Sequence, residues 1–262
     1  MSVSVKEIWE FLENLAPSQI AESQDNIGLQ IGCYSDKIKG ILLSVDPSLK
    51  AINYAIKNKL NLIITHHPLF YKPVYSIIKE TVQGEKIYQV IHNHLNIISW
   101  HTPLDKIENG VSEAIIKALG YKGKDFILKN ENYGLGRLVY LKRSIKLKNL
   151  AKKIKKVLHS WVMIVGNEEE EINAFGVCGG SCSFLKEKLK SIGINTLITS
   201  DVKYHTAKDA QEEGFNFIIV DHGISESFIL DYLKDELLKL FNSEKIQIPI
   251  IIFKENSPYK II

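Results

Sequence analysis

Apolar residues recur along the chain at two periods. Val5, Ile8, Trp9, Leu12 and Leu15 follow helical spacing, which predicts a helix over 5–16 that Pro17 stops. Short apolar runs at 40–45, 60–65 and 95–100 are of strand length, and helical segments at 49–58 and 85–94 lie between them. Ser48 is placed to cap the first of these helices. Residues 25–32 predict a turn into a short strand, 71–84 an irregular segment that reaches over a site, and 111–119 a helix closed by Gly120. The texture changes over 120–125, which marks a boundary between lobes. Beyond it come a strand at 138–141, a lysine-rich amphipathic helix at 147–158, a strand at 161–165 and an acidic turn at 167–171. Four strand–loop–helix parts then run to the C-terminus.

The pattern contains a repeat. Lys39-Gly40-Ile41-Leu42-Leu43 precedes Asn61-Leu62-Ile63-Ile64-Thr65 by 22 residues (39 to 61), and Asn173-Ala174-Phe175-Gly176-Val177 precedes Asn195-Thr196-Leu197-Ile198-Thr199 by the same 22 (173 to 195). That spacing suits a strand–helix–strand unit. The strands that follow correspond as well, Asn96-Ile97-Ile98-Ser99 with Asn216-Phe217-Ile218-Ile219. The expectation is an α/β fold of two similar, intertwined lobes with mixed sheets. The first lobe spans 1–125 and is completed by 222–262, and the second spans 126–221. Two such lobes would set their strand ends around a shared cleft, because ligands of open α/β sheets bind at the carboxyl ends of strands.

Composition narrows the class. The 262 residues are 45% hydrophobic and 24% charged, ordinary for a globular protein. A net charge of +3, carried by lysine with only Arg137 and Arg143 as arginines, argues against a nucleic-acid partner. Three cysteines are too few for a disulfide scaffold and suit a cytoplasmic protein. No apolar run reaches membrane-spanning length, so no membrane partner is expected.

The chemistry sits after the strands. Thr65-His66-His67-Pro68 ends one, His101 and Asp105 follow the next, and His222 and Glu226 follow the last. Mixed imidazole and carboxylate ligands suit zinc, iron, manganese or a similar divalent ion. Neighbours on a regular strand point to opposite faces, so His66 and His67 serve one ion only if the strand has already ended; their opposed directions favour two neighbouring ions, with Asp105 and Glu226 as bridges. His222 and Glu226, four residues apart, share a face if they lie on one helical turn. Gly179 and Gly180 come off a strand ahead of a helix expected at Phe184, an arrangement that either holds a phosphate or allows tight packing. Cys178 and Cys182 read as small buried residues. Asp201, at the position of His67 in the repeat, and His205 are proton-transfer candidates, with a surface capping role open for Asp201. His92, His94 and His159 are given no functional role.

Together, several stretches resemble the NIF-three-like dinuclear metal-binding family, whose members are called GTP cyclohydrolase 1 type 2 homologs. They are Asp25-Asn26-Ile27-Gly28-Leu29-Gln30-Ile31-Gly32, Thr65-His66-His67-Pro68-Leu69-Phe70, His101-Thr102-Pro103-Leu104-Asp105, Gly134-Leu135-Gly136-Arg137, Val177-Cys178-Gly179-Gly180-Ser181, Asp201-Val202-Lys203-Tyr204-His205 and His222-Gly223-Ile224-Ser225-Glu226. The resemblance implies two divalent ions per chain (Zn, Fe, Mn or Mg) in a cleft between lobes, with His66, His67, Asp105, His222 and Glu226 as ligands. It implies His101 lining the site, with His101 or His205 as the proton shuttle. It further implies a metal-dependent hydrolase that opens the imidazole ring of a purine nucleotide, a small-molecule substrate, and a homohexamer. A two-metal phosphohydrolase and a metal-binding ring that acts by binding a partner are the rival expectations. The chain departs from the family pattern at Gln24, Pro47, Pro103 and Cys182. None of these is an expected ligand, but Pro103 bears on how a substrate edge is hydrogen-bonded.

Overall fold

A computed structural model describes residues 2–262. In chain order its elements begin with α1 (Val5–Leu15), β1 (Gly28–Ile31), β2 (Ile41–Ser44), α2 (Leu49–Lys57), β3 (Leu62–Thr65), α3 (Val82–His92), β4 (Asn96–Ser99) and α4 (Thr102–Lys106). Next come α5 (Val111–Ala118), β5 (Phe126–Asn130), β6 (Tyr133–Lys146), α6 (Leu147–Leu158), β7 (Val162–Val165), β8 (Glu171–Val177), α7 (Lys186–Ser191) and β9 (Thr196–Thr199). The chain closes with α8 (Tyr204–Glu212), β10 (Asn216–Val220), α9 (His222–Glu226), α10 (Phe228–Ser243) and β11 (Ile250–Ile252). It divides into two compact units. One runs up to Leu104 and takes in Leu230–Glu255, and the other comprises Asp105–Ile229 and Asn256–Ile262.

The first unit is built on a mixed five-stranded sheet in the order β1-β4-β3-β2-β11. β2, β3, β4 and β11 are parallel, and β1 is antiparallel at the edge. Every residue of β2, β3 and β4 is buried, as expected of parallel strands covered on both faces. Leu42, Ile63 and Ile97 share a core with Ala51, Ile52 and Ala55 of α2 and Val90 of α3. Burying each of the leucine, isoleucine and valine side chains among them contributes roughly 1.5–3 kcal/mol. Local signals start the helices where packing needs them. Ser4 and Glu7 form a reciprocal capping box on α1, and Ser48 accepts a hydrogen bond from the Ala51 amide, 3.1 Å, at the start of α2. α3 begins at Val82, earlier than its apolar spacing suggests, because the Thr81 hydroxyl accepts from the Gly84 amide, 3.0 Å, and caps it.

The second unit holds a mixed six-stranded sheet in the order β5-β6-β8-β9-β10-β7. Leu197, Phe215 and Phe217 pack with Leu185, Leu189 and Ala210 beneath it. The largest departure from the sequence expectation is β6. It runs for 14 residues, and β5 pairs with it through a hairpin whose loop is Glu131-Asn132. Gly134, Gly136, Lys142 and Arg143 interrupt the apolar alternation, so only the buried middle of β6 carries a strand signal.

The expected repeat is present as architecture. β1-β4-β3-β2 and β7-β10-β9-β8 are the same arrangement, an antiparallel edge strand followed by three parallel ones. The detail extends to buried Asn96 and Asn216, each opening the third parallel strand. A glycine after the edge strand lies against each amide. A Cβ on Gly32 would stand 2.0 Å from Asn96 Oδ1, and one on Gly166 would stand 2.0 Å from Asn216 Oδ1, so neither position has room for a side chain. Among the described residues no helix is long and apolar enough to cross a membrane.

Candidate metal centre

In the first unit the register aligns Ser44, Thr65 and Ser99 at the carboxyl ends of β2, β3 and β4. The residues that follow, Asp46, His66, His67 and His101, therefore emerge at one edge of the sheet. β3 has ended by His66. The Thr65 hydroxyl donates to the His67 carbonyl, 2.7 Å, and turns the chain there. The two rings consequently meet, with centroids 5.2 Å apart, and His101 joins them at 4.9 Å from His66 and 5.3 Å from His67. Ligand nitrogens of the three lie within 4.8 Å of one another, so they can hold one cation. Opposed directions along a strand therefore give no reason to assign His66 and His67 to different ions, and the alternative in which the strand has ended applies.

Carboxylates fix these rings. His67 Nδ1 lies 2.8 Å from Asp46 Oδ1, and His101 Nδ1 lies 2.9 Å from Asp25 Oδ1. The other Asp25 oxygen accepts from the Thr102 amide at 2.9 Å and the Thr102 hydroxyl at 2.5 Å. Burial alone would raise the Asp25 pKa, but the bonds from His101 and Thr102 outweigh it and bring it down to about 2. Asp25 thus lies below its ordinary 3.8, stabilises the fold above that pH, and loses the contribution as pH falls through about 2. The shift corresponds to about 2 kcal/mol. In chelator-treated protein, urea unfolding should find Asp25→Asn less stable than wild type by that amount at pH 7. The difference should shrink toward pH 2, and a difference that is constant across this range would refute the assignment.

In the second unit, His222 and Glu226 fall on α9, and His222 Nε2 lies 3.1 Å from Glu226 Oε1. Asp201, in a left-handed conformation (φ 51°) just past β9, reaches His222 Nδ1 at 2.5 Å and accepts from the Ser181 hydroxyl at 2.7 Å. Burial works against the charged His222 ring, but Glu226 and Asp201 hold its pKa up at about 9 in the metal-free state. Burial would raise the Asp201 carboxyl, and its bonds to His222 and Ser181 carry it below the ordinary range.

The glycine turn serves this arrangement by close approach. A Cβ on Gly180 (φ 70°) would come 2.7 Å from Glu226 Oε1. The Cys182 amide donates to Thr199 Oγ1, 3.0 Å, and only a 3-10 turn at Ser183–Leu185 and the six-residue α7 follow. Of the two roles left open for the turn, tight packing is therefore the one these contacts describe. Cys178 and Cys182, expected as small buried residues, are both buried, and the turn folds back between them to bring their Cα atoms to 6.0 Å. Asp105 lies half-buried on α4. His205 is exposed in the first turn of α8, its ring edge-on to Tyr204 at 5.3 Å.

Three histidines, His67, His101 and His222, thus share one feature, a carboxylate at Nδ1. That contact fixes the tautomer and presents the Nε2 lone pair, which either coordinates a cation or takes up a proton. The donor set, imidazole with carboxylate and no thiolate, suits a divalent ion of the zinc, iron or manganese type. The residues present fit such an ion. Asp25, Asp46 and Asp201 are the site residues whose roles the sequence did not disclose. The available signals were the Asp25-Asn26 stretch, the acid at the end of the strand before Pro47, and the place of Asp201 in the repeat.

Comparison with known proteins agrees. Residues 3–258 match the family model for Duf34/NIF3 (NGG1p interacting factor 3). The chain belongs to this family. It is 30% identical to a GTP cyclohydrolase 1 type 2 homolog of Clostridium acetobutylicum over 99% of both chains. It is 33% identical to a GTP cyclohydrolase 1 type 2 of Helicobacter pylori, covering 91% of this chain and 93% of the other. Among solved structures, Staphylococcus aureus protein SA1388 is similar with a TM-score of 0.94 and 28% identity over 99% of both chains. The Duf34/NIF3 fold thus carries the histidine group of this chain on the strand ends described above.

Proposed function

We propose that this Duf34/NIF3 protein is a divalent-metal-dependent hydrolase of the GTP cyclohydrolase type, acting on the imidazole ring of a purine nucleotide. The observation that carries the reading is the shared carboxylate–histidine pairing at His67, His101 and His222. On this reading His66, His67, Asp105, His222 and Glu226 hold two divalent ions per chain. A bound divalent ion supplies Lewis acidity and brings the pKa of a water molecule toward neutrality. His101, oriented through Nδ1 by Asp25, moves protons at its other ring nitrogen. A cleft of about 600 Å³ opens beside His67, lined by Asp46, Tyr71, Lys72, Tyr75 and Lys86. Tyrosine rings offer stacking surfaces to a base, and the two lysines attract phosphate oxygens. This cleft supports a nucleotide better than the glycine turn does, since the Cys178 and Cys182 amides that flank the turn already donate to the Ile198 carbonyl and to Thr199 Oγ1.

The test is elemental analysis of protein purified without chelator, followed by steady-state assay with Mn²⁺ or Zn²⁺. The expected results are close to two ions per chain and loss of the guanine imidazole chromophore when GTP is supplied. Cleavage of a generic phosphodiester with GTP untouched would replace this reading with a two-metal phosphohydrolase. Protein that binds no metal would sink both.

A further inference from the structure

α9 is five residues long and leads through Ser227 into α10, and it carries His222 and Glu226 at its first and last positions. Its N-cap, Asp221, is 1% exposed, and both of its oxygens are engaged. Oδ1 accepts from the Ile224 amide at 3.0 Å within α9. Oδ2 accepts from Trp161 Nε1 at 3.1 Å and from the Ser257 hydroxyl at 2.5 Å. The three donors come from separate stretches, namely the helix itself, the residue before β7, and the C-terminal segment.

That segment, Asn256–Ile262, has no regular structure, and Tyr259 and Ile261 are exposed. Its contacts converge on the same point. Ser257 Oγ lies 3.3 Å from Trp161 Nε1 and accepts from the Tyr259 amide at 3.1 Å, while the Tyr259 ring stands edge-on to Trp161 at 5.6 Å. A capping role alone needs only the Ile224 bond. The two further donors fix the Asp221 carboxylate in rotation, and with it the direction in which the next residue, His222, projects. Asp201 then sets the His222 ring from its other side.

We propose that the C-terminal segment is a clamp on the cation ligand His222, with Asp221, Trp161 and Ser257 as positioning residues that act through α9. The proposal rests on the reading of His222 as a ligand. Charge-assisted hydrogen bonds to a buried carboxylate are among the stronger ones, and outer-shell partners of metal ligands typically govern about 10–100-fold in metal affinity.

The experiment titrates the full, metal-stripped chain with Co²⁺ and follows the visible ligand-field bands, alongside thermal unfolding of the metal-free protein. Ser257→Ala should weaken Co²⁺ binding about 10-fold, the low end for an outer-shell group because it acts one bond further out, and alter the bands at saturation, and Ser257→Thr, which keeps the hydroxyl, should restore both. A Ser257→Ala chain that binds Co²⁺ with unchanged affinity and spectrum overturns the clamp, whatever its unfolding temperature. His222→Ala separates the two readings. If it loses Co²⁺ while Ser257→Ala does not, only the clamp falls. If it binds Co²⁺ as wild type does, the ligand reading falls and takes the clamp with it.

Discussion

Replacing His67 with alanine is expected to lower cation affinity by more than about 100-fold and to leave the chain short of its full metal content. The reason lies in how the ring is held. His67 is oriented by Asp46 and stands with His66 and His101 in a group whose ligand nitrogens lie within 4.8 Å of one another. Outer-shell changes alone cost about 10–100-fold, so loss of a ligand should exceed that range. Asp46→Asn is the graded companion. The amide keeps the shape but no longer offers a carboxylate to Nδ1, and the expected loss is about 10–100-fold. Zn²⁺ calorimetry with elemental analysis reads both. A His67→Ala chain with wild-type affinity and metal content would remove His67 from the ligand set. Hydrolysis that persisted at the wild-type rate in this variant would also end the metal-dependent mechanism.

The largest effect on stability is expected from Glu113→Ala. Glu113 and Arg137 are each 5% exposed, and Arg137 Nε donates to Glu113 Oε2 at 3.2 Å. Glu113 also accepts from the Gly123 amide, while Arg137 reaches the Lys124 carbonyl and lies over the Phe126 ring, 4.7 Å from its centroid. These contacts join α5, the 123–124 turn, β5 and β6. Truncating the acid leaves a guanidinium buried without its counter-charge, which costs about 3–5 kcal/mol. Urea unfolding should show that loss. The double variant Glu113→Leu with Arg137→Met should recover most of it, since an apolar pair of similar volume needs no compensation. A single-variant loss below about 1 kcal/mol would mean that the arginine finds other acceptors or water, and the pair would then not be what holds these elements together.

Much of this site was legible because its parts are local to strands. Leu62-Ile63-Ile64-Thr65 reads as a buried strand, and His66-His67-Pro68 reads as its end. The repeat placed Asp201 in the position of His67, and the sheets carry the two stretches on equivalent strands. The cap makes the start of α2 legible at Ser48, whereas at α3 the apolar spacing points to Glu85 and the Thr81 hydroxyl sets the start at Val82. β6 is legible only in part, because glycines break the alternation in its first half and its exposed second half carries charge and pairs through the backbone.

The sequence by itself determined the α/β class, the repeat and the set of histidines and carboxylates that follow the parallel strands. These depend on periodicity and on which residues sit next to one another. Only the tertiary structure decided which acid serves which imidazole. Asp25 is 76 residues from His101, and Asp46 and Asp201 are each 21 from their partners His67 and His222. Such pairs form only when strands come into register: parallel neighbours bring Asp46 beside His67 and Asp201 beside His222, and antiparallel β1 starts where β4 ends and so brings Asp25 to His101. The direction of a ring past the end of a strand is then set by the turn there, as the Thr65 hydroxyl sets it for His66 and His67.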